Sequence, residues 1–352
     1  MLSTGERAYA FVKASGIIGK SYVGRRIKTL NPISRLSELD QLVFGQTARE
    51  LPERELLPDL ERRLSGRGVA SIVSVLKSYK NPPSLFLQLL RVYEYSDLKT
   101  ALALIAEGEI TSRPGNTQLG RFGTINFEAW PDAKTMLAGT DLEFIIDCLD
   151  QSNASAGLGE AKNDMPGSMS AKTIDTMDTL LDRHYYTKLW ASLSQLKKKD
   201  RIAAEKIIAE EIALRNCAWA LRLRSYYDMK AEEVREHLVV IEDNSKLCED
   251  AYAALNFPLD DYSEWEKWKR LRFLNPVSSQ WMADPRYFQN AASEYLYHMA
   301  LRNFRVSLSY IDKVFCYIKL KQFEEDLLTS CAEGLGMGMT GKDALAMLEV
   351  VS

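Results

Sequence analysis

Three groupings in the sequence have residue types that chemistry could use. Arg91, Glu94 and Asp97 lie at three-residue steps, so a helix would set a guanidinium beside two carboxylates able to exchange a proton. Gly336-Met-Gly-Met-Thr-Gly341-Lys342 has the spacing of a phosphate-cradling loop. Five cysteines (Cys148, Cys217, Cys248, Cys316, Cys331) and three histidines (His184, His237, His298) are the available soft ligands. Each grouping falls short. The acids lack an adjacent histidine, so a structural use of the trio is favoured. In the glycine-rich segment Asp343 stands where a magnesium-binding hydroxyl is needed, and a carboxylate there would repel phosphate. Thr340 and Asp343 instead look like the capped start of a helix from Lys342 to Val350. No Cys-x-x-Cys pair occurs, and Cys217 and Cys316 sit in apolar runs where a thiol behaves as a small hydrophobe. No catalytic residue, metal ligand or cofactor site is therefore assigned.

The trio must be positioned by the stretch Leu85 to Gly108. Asn81-Pro82-Pro83-Ser84 precedes it, a natural helix start, and Gly108 supplies a stop. Leu87, Leu90, Leu98, Ala101, Leu102 and Ile105 form one apolar stripe. A related stretch, residues 209 to 229, aligns Asn216 with Asp97, Cys217 with Leu98, Leu221 with Leu102 and Ala213 with Glu94. A fainter echo runs from Lys321 to Gly334. Its Asp-Leu and Ala-Glu-Gly elements do not align together without a gap of three, and Asp326 takes the place of Asp97. These copies predict three helical units of roughly a hundred residues each. The run from Cys217 to Leu221, with Trp219, is apolar nearly all round and predicts a central helix. Asn216 within it needs partners, so its amide is expected to bond a neighbouring helix or backbone and fix register.

Along the chain the patterning predicts a helix over Glu6–Ile27. Short segments follow over 31–83, cut by Pro32, Pro52, Pro58, Gly66 and Gly68, then a helix over Ala133–Leu149. Residues 151–172, rich in Gly, Ser, Asn and Ala, read as a flexible linker. It separates a first unit (1–150) from a second (173–243) and a third (244–352). Asp284-Pro285 marks a helix start, and Leu308, Ile311, Phe315 and Ile318 continue as a stripe through Phe323 and Leu327. No segment alternates as a strand would. The fold class is all-α.

Hydrophobic residues make up 46% of the 352 and charged residues 26%, a soluble, foldable balance. A net charge of −3 and a pI of about 5.9 argue against a dedicated nucleic-acid binder. The longest apolar run, Ala101–Ala106, is far short of a membrane span, and the first residues hold no secretory block. A cytoplasmic chain is expected. The net charge hides two basic clusters: Lys20, Arg25, Arg26 and Lys28, and Lys197, Lys198, Lys199 and Arg201. Such corners are usually solvated, but they are also the candidates for acidic partner surfaces.

At these residues the sequence resembles the C/AC39-type subunit of prokaryotic V-type (A-type) ATPases and ATP synthases, a family with a eukaryotic V-ATPase counterpart. RVYEYSDLKTALALI, LGRFGTINFEAW, EEIALRNCAWALRLR and RVSLSYIDKVFCYIKLKQFEEDLL each resemble a family segment, and ERAYAFVKASGIIGKSY is close to its opening. Departures are Lys13 for an arginine, Asp97 for the usual Asn, Ala213 for an acid, and the 151–172 linker. The resemblance implies three similar domains in a pseudo-threefold funnel, whose chain termini can interleave. It also implies a non-catalytic central-stalk adaptor that seats the rotor shaft on the membrane c-ring, peripheral to the membrane. The alternative is an unrelated helical-repeat scaffold that binds a protein on its concave face.

Overall fold

The computed structural model describes residues 4–107, 117–148 and 171–347, and among them every regular element is helical. In chain order the helices are α1 (Thr4–Ile18), α2 (Leu36–Phe44), α3 (Glu53–Leu76), α4 (Ser84–Leu90), α5 (Val92–Glu107), α6 (Ala133–Leu137) and α7 (Ala171–Ser192). There follow α8 (Ile202–Tyr227), α9 (Ala231–His237), α10 (Glu249–Ala254), α11 (Tyr262–Trp265), α12 (Pro285–Val306), α13 (Tyr310–Gly336) and α14 (Gly341–Met347). Residues 1–86 and 190–352 pack as one compact unit, and residues 87–189 form another.

Helix α13 is the centre of the first unit. It buries residues on every side, from Ile311, Phe315 and Ile318 to Leu327, Leu328 and Cys331. One core gathers Leu30, Leu39, Leu60 and Leu64 against Leu320, Leu327 and Leu328. A second surrounds Cys217, Ala220 and Leu221 of α8 with Trp265, Trp268, Phe273 and Phe288. The Trp265 and Trp268 rings meet edge to face at 5.1 Å, and the Trp265 indole N–H donates to the Pro258 carbonyl at 2.6 Å. Such buried indoles contribute large apolar area but require that partner.

Several boundaries differ from the patterning. The first helix ends at Ile18 rather than Ile27, because Gly24 takes a left-handed φ of 58° and residues 24–30 wind as a 3-10 turn. Conversely, α3 runs unbroken through Pro58, Gly66 and Gly68. Gly68 is needed there: a Cβ would press on the Glu325 carboxylate, so close packing against α13 outweighs low helix propensity. The 85–108 stretch is two helices meeting at Arg91, with both flanking backbone bonds retained. The helix expected over 133–149 stops at Leu137, ahead of Gly139 with φ 74°, and resumes only at 144–148. Leu308, expected in the apolar stripe, precedes α13 and is 97% exposed. Gly108 and nearly all of the 151–172 segment lie outside the described residues.

Candidate functional site

The residues that carry chemistry are spent on fastening loops to helices. In the 87–189 unit, Glu94 is 2% exposed and accepts from the Thr124 amide, from Ile125 N–H at 3.1 Å and from Thr124 Oγ1 at 2.9 Å. Asp97, one turn on, accepts from Thr117 N–H at 2.6 Å. Burial pushes the Asp97 carboxyl up, and that bond opposes the shift. Arg91 closes the set, 3.3 Å from Glu94 and 2.7 Å from Asp141. Burial alone would raise Asp141, but the paired guanidinium holds it below the usual carboxylate range. His184 lies between Tyr95 Oη at 2.7 Å and Asp141 at 3.8 Å, its basicity lowered by burial against Asp141's pull. The trio is a clamp whose acids are already occupied by backbone donors. A shallow hollow of about 400 Å³ beside it is lined by Thr117, Gly120, Asn126 and Glu128.

Asn216 does the same work on α8. Its Nδ2 donates to the Val239 carbonyl at 2.9 Å, and its Oδ1 accepts the Val239 N–H at 2.9 Å. Cys248 adds a thiol bond to that carbonyl at 3.3 Å. Trp219, one turn on, is half-buried at the rim of the second core. The Arg215 and Arg222 guanidiniums lie 5.8 and 5.6 Å from its ring centroid.

A third clamp is not evident from the sequence alignment of the repeats. Lys321 and Glu324, each 1% exposed, form an ion pair at three-residue spacing on α13. Glu324 accepts the Tyr22 N–H at 2.8 Å and Arg67 at 3.3 Å, while Lys321 reaches Ser21 Oγ at 3.3 Å. Burial lowers Lys321; it would raise Glu324, but the ammonium holds that carboxyl low. A signal for it exists: Lys321-x-x-Glu324 repeats Arg91-x-x-Glu94. That register lays Leu98 on Leu328 and Ala101 on Cys331, all fully buried. Aligning on Asp326 hides it.

The glycine-rich segment is a helix junction. Gly341 donates its N–H to the Ile33 carbonyl at 2.7 Å, and a Cβ there would fall on the Leu30 carbonyl oxygen. Thr340 Oγ1 bonds the Asp343 carboxylate at 2.7 Å and caps α14. The amides that would cradle phosphate are turned to packing. Of the basic residues, Lys20, Arg25, Arg26, Lys28, Lys197, Lys198 and Lys199 are exposed. Arg201 is half-buried and pairs with Glu205 at 3.0 Å.

A family model described as the ATP synthase (C/AC39) subunit matches residues 37–343, spanning all three clamping helices. The chain belongs to that family. An uncharacterized protein of Treponema pallidum (strain Nichols) is 27% identical to it over 337 residues, 94% of this chain and 92% of the relative. Membership makes this a V-type ATPase subunit, an accessory one rather than the catalytic one. The clamps accord with that role, since they stiffen a body instead of converting a substrate. Among the described residues no helix of this C/AC39 family member is long and apolar enough to cross a membrane. No group of three or more metal-ligating side chains occurs among them either.

Proposed function

We propose that this C/AC39 family member is the central-stalk adaptor of a rotary V-type ATPase, seating the rotor shaft on the membrane c-ring and carrying torque between them. The observation that carries the reading is the family match across residues 37–343. The buried clamps at Glu94, Asn216 and Glu324 support it, because a torque-bearing part must resist shear between its helices and loops. In this reading three repeated helical domains (1–150, 173–243 and 244–352, joined through 151–172) surround a pseudo-threefold funnel. The protein works from the cytoplasmic side, held at the membrane by its partners. Lys20, Arg25, Arg26 and Lys28, with Lys197, Lys198, Lys199 and Arg201, meet acidic loops of shaft and ring. The test is reconstitution of ATP-driven ion pumping with charge-reversed clusters in chains that melt as the wild type does. Slower, more salt-sensitive assembly is expected. Full coupling from both variants removes these clusters from the interface, and a wild-type chain that binds neither partner refutes the adaptor role.

A further inference from the structure

Leu308 is 97% exposed, and around it Val306 and Tyr310 are exposed at 65% and 38%. Tyr9 and Val12 of α1, at 62% and 65%, flank Phe11, whose ring lies 5.7 Å from Tyr310 and 6.5 Å from Phe304. The Leu308 tip is held out by bonds on both sides. Ser307 Oγ donates to Asp312 at 3.1 Å, Ser309 N–H donates to Ser307 Oγ at 3.1 Å, and Ser309 Oγ donates to Asp200 at 2.9 Å. These bonds fix a solvent-facing leucine in place. Its surroundings are basic. Arg302 and Arg305 are exposed on the last turn of α12, and Lys197, Lys198 and Lys199 precede the Asp200 that Ser309 grips. Arg305 also reaches Gly24, at the edge of the Arg25–Lys28 cluster. The two nearby acids, Asp200 and Asp312, are buried beneath the loop at 8% and 5% exposure.

An apolar tip flanked by tyrosines and ringed by lysine and arginine has the composition of an interfacial membrane contact: apolar atoms enter the headgroup boundary while bases meet anionic lipid. The tip projects, so it suits insertion rather than reception of a helix. We propose that the 306–310 loop, with Tyr9, Val12 and Lys197–Lys199, binds an anionic lipid surface directly. This goes beyond the adaptor reading and does not require it.

The test uses the full chain alone, sedimented with vesicles of phosphatidylcholine and with vesicles that also contain phosphatidylglycerol. Salt-sensitive binding to the anionic vesicles only is expected. Reversing Lys197, Lys198 and Lys199 to Glu should weaken it on the order of 100-fold, at about 1 kcal/mol per base. Leu308→Asp should weaken it about ten-fold or more while the melting temperature stays unchanged. Wild-type chain that ignores anionic vesicles, or binding indifferent to both variants, overturns the proposal. Because no other part of the ATPase is present, such a failure leaves the adaptor reading standing. If the same Leu308 variant then fails to join the c-ring, the tip is a protein contact and the lipid assignment is wrong.

Discussion

Replacing Asp312 by Asn isolates what it costs to bury an acid under the 306–310 loop. Asp312 is 5% exposed, its Oδ1 has no hydrogen-bond partner, and it faces Asp200. Burial first, and Asp200 second, push its carboxyl from 3.8 up to about 6, against the Ser307 bond. A group whose folded value is raised contributes stability that is complete below the unfolded value and is lost as pH rises through the folded one. At 1.36 kcal/mol per pH unit, ionising Asp312 at neutral pH costs about 3 kcal/mol. Its position three residues into α13, behind the Ser309 cap, returns roughly 0.3–1 kcal/mol through the helix dipole. Asn keeps an acceptor for Ser307 and offers an N–H towards Asp200. Asp312→Asn should therefore stabilise the chain by about 2 kcal/mol at pH 8 and by almost nothing at pH 4. Urea unfolding of both proteins at the two pH values measures it. An equal difference at both pH values, or a variant weaker at pH 8, would refute the reasoning.

Asn216→Leu leaves the Val239 N–H and carbonyl buried without that partner, so it should cost roughly 2–5 kcal/mol in chemical denaturation. Trp219→Ala, at the rim of the core, should cost only about 1–2 kcal/mol, and a larger loss would mean the ring is more enclosed than its half-burial indicates. Gly341→Ala should destabilise by roughly 1–3 kcal/mol, because its Cβ meets the Leu30 carbonyl. Lys342→Ala at the neighbouring position should melt unchanged, and the reverse pattern would restore a functional role to the loop. His184 has a depressed folded pKa, so the stability it contributes is present above 6.5 and falls as the solution is acidified below that. His184→Gln should weaken less than the wild type between pH 7 and pH 5, as thermal melts across that range will report.

The helical class and several caps are legible from local rules. Asp284 accepts the Arg286 N–H with Pro285 at the first helical position, as the dipeptide implies. Ser84 opens α4 after Pro82 and Pro83. What the sequence conceals depends on distant contacts. Nothing local says that Gly68 is safe inside a helix; the reason is the side chain of Glu325 lying against it. Periodicity places Leu308 on a buried stripe, but Ser309 caps α13 one residue later and turns Leu308 to solvent. The trio at residues 91–97 is visible as chemistry, and its partners Thr117, Thr124 and Asp141 are not, since 20 to 50 residues intervene.

The Tyr22–Glu324 bond joins residues 302 apart in the chain, and the 87–189 unit is inserted between them. A ribosome adding roughly 5–20 residues per second leaves some 15–60 s between the appearance of one end of that bond and the other. The inserted unit is contiguous and can close while the chain is still growing. Helices α1 and α3 meanwhile keep apolar faces that only α13 covers. Early release, or truncation before residue 310, would therefore leave a nascent chain with one finished part and one adhesive one, a natural substrate for chaperones and proteases.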